Sequence, residues 1–159
     1  TEELAALRVL VHYDLAGADQ ALSQFAERWS DEALVMDQWF AVQAATPGPA
    51  SLSRIETLMS HSAFDWTVPN RVRALVGTLA NGNPSAFHSP DGEGYRLFAA
   101  ALSRLDGINP QIAARLANAA ARLSKLEPGR RKQLASALER VEKDASDNLS
   151  EVLGRILAV

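Results

Sequence analysis

Cysteine is absent from the 159 residues, which excludes a disulfide framework and thiolate-held metal. That fits a reducing compartment, and a cytoplasmic location is the expectation. No apolar run approaches the roughly 20 residues of a membrane span, and no signal-peptide pattern is visible, so no membrane partner is expected. Histidine is scarce. His12, His61 and His88 are scattered, and none belongs to an H-E-x-x-H helix that would hold zinc from adjacent turns. There is no G-x-S-x-G, no Walker loop and no dinucleotide fingerprint; D-G-E-G at 91–94 lacks the strand that would precede a phosphate cradle. An excess of positive charge is missing too. The net charge of −3 argues against a nucleic-acid partner held through phosphates. Strand signals are also lacking, with no sustained period-2 alternation.

What is present reads almost wholly as helix. Leu4, Leu7, Leu10 and Val11 make a first apolar stripe, and Ala18, Leu22, Phe25 and Trp29 a second. Ser30 or Asp31 is expected to cap a third helix over about 32–45, whose run A-L-V-M-D-Q-W-F-A-V-Q-A-A is polar only at Asp37, Gln38 and Gln43 and so buried on most sides. Leu52, Ile55, Leu58 and Met59 form a fourth stripe after the T-P-G-P break. Later helices carry Tyr95, Phe98, Leu102 and Leu105, then Ile112, Leu116, Ala119 and Leu123, then Leu134, Leu138 and Val141, and finally Leu149, Val152, Leu153 and Ile156. Asn109-Pro110 and Glu127-Pro128 are start signals, with proline at the first helical position. All seven prolines fall between stripes. Eight or nine short helices with short linkers imply an all-α fold of antiparallel pairs, stacked as a superhelical α-solenoid or closed as an irregular bundle. One domain over 1–159 is expected. The chain begins at Thr1 inside a helical pattern, so it reads as a piece of something longer or a processed form.

The most informative stretch is Trp66 to His88. Pro69 is a stop, Asn70 a candidate cap, and Val72, Leu75, Val76 and Leu79 form one apolar stripe. Arg73, Gly77 and Ala80 lie off it. A helical glycine costs about 1 kcal/mol relative to alanine, so Gly77 suggests a close approach to the backbone.

Thirteen of the sixteen basic residues are arginine, the side chain suited to bidentate carboxylate recognition. Most belong to solvated faces, Arg130, Arg131 and Arg140 among them. Arg115, Asn118 and Arg122 share one expected helix face. Asp37 is expected to pair with an arginine or cap a helix, and His88 to pack on Phe87 in a loop.

A-L-V-M-D-Q-W-F at 33–40, V-P-N-R-V-R-A-L-V at 68–76, N-P-S-A-F-H at 83–88, D-G-E-G-Y at 91–95 and N-P-Q-I-A-A-R-L at 109–116 stand in one order. Together they resemble the C-terminal helical domain of the bacterial aminopeptidase N family, which are gluzincin metallo-aminopeptidases. The resemblance runs from about residue 5 to the end. Val68 departs from the family's N-P-N-R, so no contact by that first Asn is carried over. The resemblance implies a non-catalytic domain: zinc, its H-E-x-x-H motif and the G-x-M-E-N motif belong to a catalytic domain of the same polypeptide, the expected partner. It implies a superhelical bowl over the catalytic cavity that admits short peptides. Arg73 and Arg115 match residues lining the family's channel, with Asn70 and Arg71 as weaker neighbours. A free-standing α-solenoid adaptor is the alternative, separable by whether the zinc motif precedes Thr1 in the same reading frame.

Overall fold

A computed structural model describes residues 2–158, and no strand occurs among them. The helices are α1 (Glu2–His12), α2 (Ala18–Trp29), α3 (Ala33–Ala44) and α4 (Ser51–Leu58), then α5 (Pro69–Val72), a π-helical turn (Arg73–Gly77) and α6 (Thr78–Gly82). After the short α7 (Pro84–Phe87) come α8 (Glu93–Asp106), α9 (Pro110–Ala117), two 3₁₀ turns (Asn118–Ala120 and Leu123–Lys125), α10 (Pro128–Glu142) and α11 (Asp147–Leu157).

The prolines explain the punctuation. Pro69, Pro84, Pro110 and Pro128 each occupy the first turn of a helix, where the missing N–H has no intrahelical partner to lose. Asn109 accepts from Ile112 N at 3.2 Å, and Glu127 accepts from Gly129 N and Arg130 N at 2.9 and 2.6 Å. Ser146, which no sequence signal singled out, caps α11 through Leu149 N at 3.2 Å. It is held in turn by Asp106, whose carboxylate accepts from Ser146 N at 2.7 Å and Ser146 Oγ at 2.5 Å.

Three local expectations are corrected. Neither Ser30 nor Asp31 caps α3; the cap position falls on Glu32, with no side-chain bond. Asn70 is not a cap either. Pro69 itself takes the first helical position, so the cap is the extended Val68 and Asn70 lies inside the first turn. The expected helix through Leu123 stops at Ala117, where the backbone tightens into 3₁₀ turns.

Each helix packs chiefly on near neighbours in the chain: α1 on α2 and α3, α3 on α4 and the π turn, α8 on α9 and α10, and α11 on α9 and α10. That nearest-neighbour pattern makes an all-helical, solenoid-like array. One cluster of buried apolar side chains runs through it, from Leu4 to Ile156. The halves meet where α4 and α7 touch α8 and where α6 touches the first 3₁₀ turn. Asn83 secures the N-terminal half: its buried Nδ2 donates to Ala44 O at 2.9 Å, Thr46 O at 2.7 Å and Ser51 Oγ at 3.3 Å, while Oδ1 accepts from Ala86 N.

Candidate functional site

The π turn and α9 face each other across a cavity of about 580 Å³. Its floor is apolar, from Val72, Ile112 and Leu116, and Arg73 and Arg115 stand on its walls. Both arginines are exposed. Arg73 donates to Asn70 Oδ1, a neutral partner that leaves the charge uncompensated. Among the described residues neither Arg73 nor Arg115 forms an ion pair, and no carboxylate lines the cavity. Two guanidiniums facing one hollow offer planar, bidentate recognition of a carboxylate.

Gly77 lines the same cavity. A Cβ built there would meet nothing nearer than Arg73 Cβ at 3.7 Å and Leu116 Cδ1 at 4.0 Å. The close approach expected at Gly77 is therefore absent, because the cavity itself lies beside it. The close approach occurs at Gly94, where a Cβ would run into the carbonyl oxygens of Ala86 and Phe87.

Arg71 is not part of this hollow. It faces the other way, into α3, where its Nε donates to Asp37 Oδ1 at 2.5 Å and its Nη1 to Ala63 O. Its charge also lies over the Phe40 ring, 5.3 Å from the centroid. With 11% of Arg71 and 17% of Asp37 side-chain area exposed, this pair is a shielded clamp between α3 and α5. Asp37 is thus satisfied by an arginine. Asn70 does not line the hollow and is connected to it only through its bond to Arg73.

A second hollow of about 620 Å³ adjoins the first along Asn81, Asn118 and Ala119. His88, Arg122 and Lys125 line it, and again no carboxylate does. The end of α9 at Ala117 turns Arg122 away from Arg115 and into this second hollow. His88 packs on Phe87 with ring centroids 4.9 Å apart, and its Nδ1 lies 2.5 Å from the buried Tyr95 hydroxyl. Arg130 keeps the expected solvated ion pair, to Glu127 at 3.5 Å, and its Nε also donates to His88 O at 2.8 Å. Burial, and then the Arg130 charge, lower the His88 pKa, while burial pushes Tyr95 up to about 12. His88 was legible only as a packing residue, because Tyr95, Arg122 and Lys125 approach it from other elements.

No group of three or more His, Cys, Asp or Glu side chains is placed to hold a metal among the described residues. No helix among them is long and apolar enough to cross a membrane.

Comparison with known proteins adds identity to this geometry. The family described as "Domain of unknown function (DUF3458_C) ARM repeats" matches residues 1–158. Aminopeptidase N of Haemophilus influenzae is 42% identical over 153 residues, 96% of this chain and 17% of the relative. Aminopeptidase N of Escherichia coli is 36% identical over 160 residues, 99% of this chain and 18% of the relative. The crystal structure of Legionella pneumophila aminopeptidase A in complex with aspartic acid superposes with a TM-score of 0.91 at 33% identity, covering 98% of this chain and 18% of that one. The chain thus spans less than a fifth of the length of the relatives it matches.

Proposed function

Since the chain belongs to the DUF3458_C family of ARM repeats and corresponds to a small C-terminal part of aminopeptidase N, we propose that it caps the catalytic cavity of a zinc-dependent aminopeptidase and controls which peptides reach it. The chemistry of peptide-bond hydrolysis, and the zinc that supports it, would reside in the catalytic domain of the same cytoplasmic polypeptide. This chain's described residues offer no zinc site of their own. Its contribution is selection. A peptide that enters amino end first trails a carboxylate, and Arg73 and Arg115 attract that group by charge-assisted hydrogen bonds. A hollow lined by one sign of charge also raises the local concentration of oppositely charged substrate.

The observation that supports this reading is the shared cavity of Arg73 and Arg115, free of any lining carboxylate. In the full-length enzyme, Arg73→Ala and Arg115→Ala should each raise KM for peptides by roughly threefold to tenfold, the scale of one exposed charge contact. KM for neutral arylamide substrates, which carry no trailing carboxylate, should stay unchanged. An equal rise for both substrate kinds would count against the proposal.

A further inference from the structure

The second hollow is not explained by a single trailing carboxylate. Its basic residues come from different elements, Arg122 from the bend between the two 3₁₀ turns, Lys125 from the second of them, and His88 from the loop after α7. Among the described residues neither Arg122 nor Lys125 forms an ion pair. The chain carries 19 acidic residues, yet none lines either of these two adjoining hollows. By contrast, the hollow between α2, α3 and α4 has Asp19 and Glu27 in its lining, with Arg54 already paired to Asp19 at 3.3 Å.

His88 adds a neutral donor. The buried Tyr95 hydroxyl has one proton to donate, and His88 Nδ1 is its one hydrogen-bond partner among the described residues. A buried hydroxyl left without an acceptor is costly, so the phenol donates and Nδ1 accepts. The ring proton then resides on Nε2, and His88 serves the hollow as a hydrogen-bond donor without a charge of its own. Phe87, Leu123 and Leu134 supply an apolar floor against which the methylenes of a side chain can lie.

We infer that the second hollow is a subsite for a second carboxylate of the same peptide, so that the domain favours peptides with a glutamate or aspartate side chain near their C-terminus. This rests on the reading that the first hollow receives the peptide's terminal carboxylate.

The test is calorimetric titration of peptides into the full-length enzyme. The probes are an acetylated tetra-alanine free acid, its C-terminal amide, and the free acid with glutamate as the penultimate residue. The glutamate peptide should bind roughly threefold to tenfold more tightly than the alanine acid at low salt, and high salt should erase the difference. The double variant Arg122→Gln, Lys125→Gln removes two exposed charges and should abolish that preference while leaving the alanine acid unaffected. A preference that survives the double variant or high salt, or no preference in the unaltered enzyme, overturns the inference alone. Should the double variant fail to fold, the salt titration of the unaltered enzyme decides. Equal binding of the alanine acid and its amide, or no binding of either, overturns the reading of the first hollow, and this inference with it.

Discussion

Arg71 and Arg73 sit two positions apart, about 200° around a helix, and so serve opposite faces. One holds the fold and the other faces the cavity. The helical repeat makes that division legible in the sequence, once one of the two is assigned to the core side. Removing one member of a shielded ion pair leaves the other charge desolvated. Asp37→Ala and Arg71→Ala should therefore each lower unfolding stability by about 2–4 kcal/mol, below the cost of breaking a fully buried pair. Arg73→Ala, exposed and bonded only to Asn70, should change it by less than about 0.5 kcal/mol. Urea denaturation of the three variants checks the contrast, and similar losses in all three would refute the assignment. The three Nδ2 bonds of Asn83 to the 44–51 segment were not legible, since they join residues more than thirty positions apart. Asn83→Ala leaves buried carbonyls unpaired and should cost about 2–3 kcal/mol in the same assay.

At the scale of elements, X-Pro boundaries were readable because proline acts locally, through a fixed φ and a missing N–H. The π turn was not readable. Val72, Leu75, Val76 and Leu79 keep an ordinary helical period straight through it, and all four are buried. The early end of α9 was hidden for a related reason: A-N-A-A at 117–120 contains no helix breaker, and Ala120 and Leu123 are buried after the backbone has tightened. Two glycines separate these effects experimentally. Gly94→Ala forces a methyl group into the carbonyls that end α7, and should destabilise by about 3 kcal/mol or prevent folding. Gly77→Ala meets only ordinary van der Waals neighbours and should be neutral or stabilising by up to about 1 kcal/mol. A reversed order in thermal melts would show that the π turn, and not the contact at Gly94, makes the stricter demand for glycine.

Across the whole molecule, the helical array was legible from stripes and stops, whereas the hollow of Arg73 and Arg115 was expected only through the resemblance and the second hollow not at all. They form where α9 ends and where the π turn and 3₁₀ turns depart from regular helix, which periodicity does not register. The same burial that shapes the second hollow makes stability depend on pH. Burial lowers the His61 pKa, and burial with the Arg130 charge lowers that of His88, both from 6.5 in the unfolded chain. Below that value the unfolded state binds more protons, so stability is lost as pH falls through 6.5 and levels off once the folded histidines also protonate. The urea midpoint should drop between about pH 7.5 and pH 5.5, and the drop should be smaller in His88→Gln. A flat profile would contradict the assignment of neutral, partly buried histidines.

The cap reading turns on whether Arg73 and Arg115 meet a peptide's terminal carboxylate. Its most direct measurement is the ratio of kcat/KM for a peptide acid to that for the matching C-terminal amide, in the full-length enzyme and in its Arg73→Gln, Arg115→Gln double variant. The account predicts a ratio of roughly ten in the unaltered enzyme, falling to about one in the variant with the amide rate unchanged. The same ratio in both enzymes would contradict it.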